Sequence, residues 1–130
     1  MSEPSSWNVL VVDDEPDNIG VVEYILLFHN AKVRIANSGQ ACLEILRQER
    51  PSFLLLDIQM PIMSGWDVLK EIRNDEKLRD LTVIAFTAHA MAGDREKALA
   101  AGFDGYITKP ISPLSFVDDV KAIVMSRSKP

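Results

Sequence analysis

Short apolar runs and longer segments of helical periodicity alternate five times along the chain, and this alternation limits the folds open to it. A short run rich in Val, Ile and Leu is typical of a strand, whereas apolar residues three and four positions apart are typical of a helix with one buried face. Such alternation indicates a parallel sheet whose strands are joined by crossover helices. We therefore predict an α/β fold, a single doubly wound (βα)5 domain with a five-stranded parallel sheet. The predicted strands are residues 8–12, 32–36, 53–56, 82–86 and 105–108.

The segments between the strands carry helix start signals. The first helix is predicted to follow Pro16. The other predicted starts are Asn37 or Ser38, Ser64 with Asp67 as a capping pair, residue 92, and Ser112 followed by Pro113. The fourth helix, residues 92–101, is rich in alanine and has only Leu99 as a large apolar residue. We expect it to pack shallowly and to be the helix that moves most readily.

Length and composition indicate a single domain and exclude several classes of function for it. The 130 residues fit one domain, placed at residues 8–126 with flexible ends at 1–7 and 127–130. Acidic residues outnumber basic ones by 19 to 14 without a basic stripe, so direct nucleic-acid binding is not expected. No run of 18 apolar residues is present, so membrane insertion is not expected either. Because the N-terminus lacks signal-peptide features and Cys42 is the single cysteine, we expect a cytoplasmic location.

Ionisable side chains follow three of the five predicted strands. Asp13 and Asp14 follow the first strand, Asp57 the third and Lys109 the fifth, while Thr87 follows the fourth. In a doubly wound sheet the ligand site lies at the carboxyl ends of the strands, so we expect these side chains to converge. Converging carboxylates repel one another, so we expect a bound cation to offset their negative charge. Oxygen ligands without nearby histidine or cysteine favour Mg²⁺.

The same group of residues is suited to phosphoryl chemistry. Asp57 ends the middle run and can act as a nucleophile, since a carboxylate can form an acyl phosphate. Lys109 supplies a compact positive charge and Thr87 a hydroxyl donor for phosphate oxygens.

Four segments together resemble the receiver domain of two-component response regulators. They are Asp13-Asp14, Leu56-Asp57-Ile58-Gln59-Met60-Pro61 with Gly65, Thr87-Ala88, and Gly105-Tyr106-Ile107-Thr108-Lys109-Pro110. The resemblance covers residues 8–125 and is closest to receivers that stand alone or work with hybrid kinases. It implies a flavodoxin-like strand order of 2-1-3-4-5.

The resemblance also implies a role for each site residue. Asp57 would be the phosphoacceptor, and the Mg²⁺ ligands would be Asp14 directly, Asp13 through water, Asp57, and the backbone carbonyl of Gln59. The phosphoryl group would contact Thr87, Ala88 and Lys109, and Tyr106 would be the aromatic that turns inward on activation. The Lys109–Pro110 bond is expected to be cis. Gln59 and His89 would flank the path of the hydrolytic water and tune dephosphorylation.

These roles imply a phosphorylation-activated signalling switch. The donor would be a phosphohistidine on a sensor histidine kinase or a histidine phosphotransfer protein. The surface of the fourth helix, fifth strand and fifth helix would then bind an unknown downstream protein. The chain would not be an enzyme beyond its own phosphorylation and slow autodephosphorylation.

Other functions stay open at this point. The chain could be a phosphate shuttle or sink, or a receiver cut from a hybrid histidine kinase, although its opening methionine and short tail argue against the second. A Mg²⁺-dependent phosphatase with an aspartyl-phosphate intermediate usually needs a second aspartate two residues after the nucleophile, where Gln59 stands. A flavin-binding module would need a hydroxyl- and glycine-rich phosphate loop, and Asp13-Asp14 has the wrong charge for it.

Overall fold

The computed structural model describes residues 3–88 and 91–128. Its strands are β1 (Asn8–Val12), β2 (Lys32–Ala36), β3 (Phe53–Asp57), β4 (Val83–Thr87) and β5 (Gly105–Thr108). Its α-helices are α1 (Pro16–Phe28), α2 (Gly39–Gln48), α3 (Gly65–Asn74), α4 (Asp94–Ala101) and α5 (Phe116–Ser128), and a short 3-10 helix covers Pro4–Ser6. Strands and helices alternate as predicted, and every strand bound agrees with its prediction to within one residue. No helix in the described parts of the chain combines the length and apolarity needed to cross a bilayer.

All five strands are parallel, and they lie side by side in the order β2-β1-β3-β4-β5. This confirms the predicted fold class and strand order. The edge strand β2 buries only Ala36 fully, whereas β3 and β4 are buried at every position. The most apolar runs of the sequence therefore form the middle of the sheet, where helices cover both faces.

The sheet separates two hydrophobic clusters because successive side chains of a strand point to opposite faces. Along β3, Leu54 and Leu56 belong to the cluster that includes α2 and α3 residues, and Phe53 and Leu55 belong to the cluster that includes α1 and α5 residues. Cys42 lies in the first cluster, and burial raises the pKa of its thiol to about 12. The thiol therefore stays protonated and behaves as a core group.

Two of the predicted helix starts are present with their hydrogen bonds. Ser64 Oγ accepts the Asp67 N–H at 3.3 Å and Asp67 Oδ2 accepts the Ser64 N–H at 3.0 Å, which is a capping box. Ser38 Oγ accepts the Ala41 N–H at 3.1 Å at the start of α2. These caps satisfy backbone donors that a helix leaves unpaired in its first turn.

The predicted domain boundaries need correction at both ends. Trp7 is only 1% exposed and packs edge-to-face on Phe53 with ring centroids 5.2 Å apart, so it belongs to the core and not to a flexible end. The predicted start of α5 at Ser112–Pro113 is wrong: the helix begins at Phe116, after a turn at residues 113–115 in which the Ser112 carbonyl accepts the Phe116 N–H at 2.9 Å. Helix α5 then continues to Ser128, beyond the predicted limit of residue 126.

Helix α4 is shorter than predicted and packs through a different residue. It begins at Asp94, after Gly93 in a left-handed conformation with φ of 88°. Ala98 is its buried residue, whereas Leu99 is 40% exposed. The predicted shallow packing holds because the contact with the core is a methyl group.

Candidate functional site

The carboxyl ends of β1 and β3 place three carboxylates side by side. Asp13 follows β1 and Asp57 is the last residue of β3; they are 0% and 2% exposed, and Asp14 lies closer to solvent. One oxygen from each of Asp13, Asp14 and Asp57 lies within 4.8 Å of the other two. The structure therefore brings together the three acidic residues that the sequence predicted to converge.

Backbone amides orient the two buried carboxylates. Asp13 Oδ1 accepts the Glu15 N–H at 2.9 Å, and Asp57 Oδ1 accepts the Gln59 N–H at 3.1 Å. Each aspartate thus bonds to an amide two residues further along the chain, where the strand gives way to a loop. This contact holds each side chain at the strand end, above the edge of the sheet.

Lys109 reaches the same point from β5. Its Nζ lies 2.6 Å from Asp13 Oδ2 and 3.3 Å from Asp57 Oδ1, with the side chain 6% exposed. The ammonium also lies 4.8 Å from the centroid of the Phe86 ring. The Lys109–Pro110 bond is cis, as expected, and the Lys109 N–H bonds to the Thr87 carbonyl at 2.8 Å. Strands β4 and β5 together therefore position the lysine against the carboxylates.

The electrostatics of the site centre on Asp57. Burial raises the pKa of its carboxyl to about 6, Lys109 and the Gln59 N–H oppose that change, and the negative charge of Asp13 adds to it. The carboxylate form still predominates at neutral pH. Asp57 is therefore available there as an oxygen ligand and as a nucleophile.

The donor set fits a small hard cation. It consists of carboxylate oxygens, and two of the three carboxylates are buried with a single ammonium between them. Hard oxygen donors of this kind are the ligands that Mg²⁺ prefers. Asp13, Asp14 and Asp57 are the residues that would hold it. The predicted contribution of the Gln59 carbonyl stays a prediction.

The other predicted site residues lie at the ends of β4 and on β5. Thr87 is 2% exposed at the end of β4, and Ala88 follows it on the exposed surface. Tyr106 is half-buried on β5, and its hydroxyl is buried without a hydrogen-bond partner among the described residues. Burial and the nearby carboxylates of Asp94 and Glu96 raise the pKa of Tyr106. His89 lies outside the described residues.

Two residues near the site have roles that the sequence patterns left unassigned. Phe86 lies under the Lys109 ammonium, and its position inside an apolar run gave no sign of this. Gly65 starts α3 so close to β3 that a Cβ atom would lie 2.5 Å from the Asp57 carbonyl oxygen. A glycine at that position therefore lets α3 begin directly against the strand that carries Asp57.

Comparison with known proteins assigns the chain to a family and agrees with its fold. The family model of the response regulator receiver domain matches residues 9–121, so the chain belongs to the receiver domains of two-component response regulators. The polar-differentiation response regulator DivK of Brucella ovis is 36% identical over 115 residues, which cover 88% of this chain and 94% of that protein.

Two solved structures are similar to the chain over almost its whole length. A putative response regulator from Chloroflexus aurantiacus has a TM-score of 0.85 and 27% identity, with 92% of this chain and 98% of that chain covered. The receiver domain of the sensor histidine kinase PA1611 from Pseudomonas aeruginosa has a TM-score of 0.82 and 29% identity, with 92% and 98% covered. That domain was crystallised with a magnesium ion coordinated in its active-site cleft.

Proposed function

We propose that the chain is a phosphorylation-activated switch in which Asp57 accepts a phosphoryl group from a phosphohistidine. The observation that carries the proposal is the position of Asp57, which is 2% exposed, grouped with Asp13 and Asp14, and 3.3 Å from Lys109 Nζ. A buried carboxylate with two acidic neighbours and a fixed ammonium is suited to forming an acyl phosphate and poorly suited to a purely structural role.

In the proposed reaction an Asp57 carboxylate oxygen attacks the phosphorus of the phosphohistidine. An O–P bond forms, the N–P bond breaks, and the electron pair returns to the imidazole nitrogen of the donor. Lys109 offers its ammonium to the phosphoryl oxygens as the negative charge approaches. Thr87, at the end of β4, donates its hydroxyl to the same oxygens, and Ala88 contacts them from the adjoining loop.

Mg²⁺ held by Asp13, Asp14 and Asp57 would neutralise the charge that develops on the phosphoryl oxygens. The magnesium ion in the similar receiver of PA1611 supports this choice of metal. Within this chain, Asp13 and Asp57 are both buried beside Lys109, and a bound cation would lower the remaining repulsion between the two carboxylates.

The proposed output surface is the face formed by α4, β5 and α5. A cleft of about 770 Å³ lies there and is lined by residues that include Leu99, Tyr106 and Ile123. Helix α4 borders this cleft and is held by the small side chain of Ala98. A change at Thr87 and Lys109 can therefore shift α4 and Tyr106 without breaking a large packed core.

The partners we propose are a sensor histidine kinase or histidine phosphotransfer protein as donor and a downstream protein at the output surface. The chain would catalyse only its own phosphorylation and slow dephosphorylation, and so would not act as an enzyme. A phosphate shuttle or sink would use the same chemistry. Rapid return of the phosphoryl group to a phosphotransfer protein would favour that role, and phosphorylation-dependent binding of another protein would favour the switch.

Acetyl phosphate with Mg²⁺ tests the phosphoacceptor directly. Mass spectrometry of the intact protein should show one phosphoryl group per chain, which EDTA or Asp57→Asn abolishes. Asp80→Asn is the matched control, because this carboxylate is 75% exposed and pairs with Arg50. Labelling that persists in Asp57→Asn would contradict the proposal, and continuous turnover of a generic phosphomonoester would favour a phosphatase.

A further inference from the structure

Ile62 combines a strained backbone with a fully exposed side chain. Its φ is 69°, in the left-handed region, and its relative exposure is 106%. The other left-handed residue that is not glycine among the described residues is Asn30, with φ of 66°. Asparagine tolerates this region, whereas a β-branched residue there is unusual and destabilising. Ile62 thus weakens the fold without a core contact that would offset the strain.

The turn around Ile62 has a structural reason, but the isoleucine side chain does not. The Met63 N–H bonds to the Pro61 carbonyl at 2.7 Å, which closes a three-residue turn with Ile62 at its centre. This turn lets Met60 be buried and lets Met63 pack over Gly39, where a Cβ would lie 2.8 Å from Met63 Sδ. Glycine or asparagine would form the same turn with less strain.

The position of Ile62 indicates which kind of partner protein would cover its exposed side chain. It lies five residues after Asp57, in the loop that leaves the carboxyl end of β3. Two further large apolar side chains are exposed in the loops that leave β4 and β5, namely Met91 at 76% and Leu114 at 94%. These loops leave the same edge of the sheet, where Asp57 and Lys109 lie. A protein that delivers a phosphoryl group to the buried Asp57 has to cover this edge.

We propose that Ile62 is a docking contact for the phosphohistidine-carrying protein that phosphorylates Asp57. Its side chain inserts into an apolar depression of that protein and helps to select it among other donors. Removal of an exposed branched side chain that becomes buried in a complex weakens binding by about tenfold or more. This proposal rests on the proposed function, because it requires Asp57 to be phosphorylated by a protein donor.

The test compares a protein donor with a small-molecule donor. The protein donor is the one from the same genome that labels the wild-type chain fastest, either a purified histidine kinase autophosphorylated with ATP or a purified histidine phosphotransfer domain that has first received its phosphoryl group from such a kinase. For Ile62→Asn we expect KM for that donor to rise about tenfold with little change in the maximal rate, while labelling by acetyl phosphate is unchanged. Because the left-handed strain is relieved, the folding equilibrium constant from urea titration should rise by about fivefold.

Two further variants separate a docking contact from other roles. Ile62→Val keeps a branched apolar side chain and should keep the wild-type KM. Met125→Asn replaces another exposed apolar residue, 49% exposed on α5, and should leave transfer unchanged.

Three results would overturn the proposal. They are an unchanged KM in Ile62→Asn, equal slowing of labelling by the protein donor and acetyl phosphate, and a change in self-association measured by analytical ultracentrifugation. The second would give Ile62 a role in shaping the site, and the third would place it between copies of the chain. Failure of acetyl phosphate to label wild-type Asp57 would instead contradict the proposed function itself, and so is distinguishable from all three.

Discussion

The buried carboxylate of Asp57 is required for the proposed activity but lowers the stability of the fold. Its carboxylate sits in a buried group with Asp13, and this environment favours the protonated form. The buried site proposed to bind a cation and a phosphoryl group therefore destabilises the fold when neither is present. This opposition is expected where residues are selected for chemistry at the expense of packing.

The raised pKa of Asp57 gives a pH-dependent prediction for the metal-free protein. A folded-state pKa near 6, above the ordinary value of 3.8, stabilises the fold below about pH 4, and that stabilisation is lost as the pH rises through 6. In EDTA, Asp57→Asn should therefore gain stability relative to wild type between pH 4 and pH 7, by about 1 to 3 kcal/mol. Urea titrations at several pH values measure this difference. A difference that does not change with pH would contradict the assigned environment of Asp57.

At the scale of the secondary-structure elements, Arg73 on α3 connects the α3–β4 loop with the α4–β5 loop at the end of the sheet opposite the site. Its guanidinium donates to the Gly102 carbonyl at 2.7 Å, to the Leu81 carbonyl at 2.7 Å, and to Asp104 Oδ2 at 3.0 Å. Asp104 Oδ2 also accepts the Val83 N–H at 2.8 Å. The carboxyl end of α4 is thereby fixed to α3 and β4, whereas its other end follows the left-handed Gly93.

Loss of the Arg73 side chain should destabilise the fold because it leaves the largely buried Asp104 carboxylate without its cation. Arg73→Met is expected to lower the free energy of unfolding by about 2 to 4 kcal/mol. Arg50→Met is the matched control, since the Arg50–Asp80 pair at 3.0 Å has side chains 44% and 75% exposed, and its loss should change stability by less than about 1 kcal/mol. Urea denaturation gives both values, and amide exchange should locate the Arg73 effect at residues 102–105. Similar losses in the two variants would contradict this account.

For the whole molecule, the sequence was sufficient to predict the sheet and the group of charged residues at its edge. The central strands are continuous apolar runs, and the carboxyl ends of parallel strands meet at one edge, so Asp13, Asp57 and Lys109 could be placed together from strand positions alone. Those inferences depend on local periodicity and topology, which a single sequence displays.

Features that depend on distant contacts or on backbone angles could not be predicted in this way. Trp7 lies in a segment rich in serine and proline, and only its contact with Phe53 places it in the core. Arg73 and Asp104 are 31 positions apart, and no local pattern links them. The left-handed conformation of Ile62 contradicts the preference of its residue type.

The central claim is that a phosphoryl group on Asp57 changes the surface formed by α4, β5 and α5. The most direct measurement is the amide NMR spectrum with Mg²⁺ before and after addition of beryllofluoride, which mimics the phosphoryl group. We expect shift changes at Thr87 and Lys109, through residues 94–101 of α4 and at Tyr106, all of them lost in Asp57→Asn. Changes confined to the loops around Asp57, or changes that persist in Asp57→Asn, would contradict the claim.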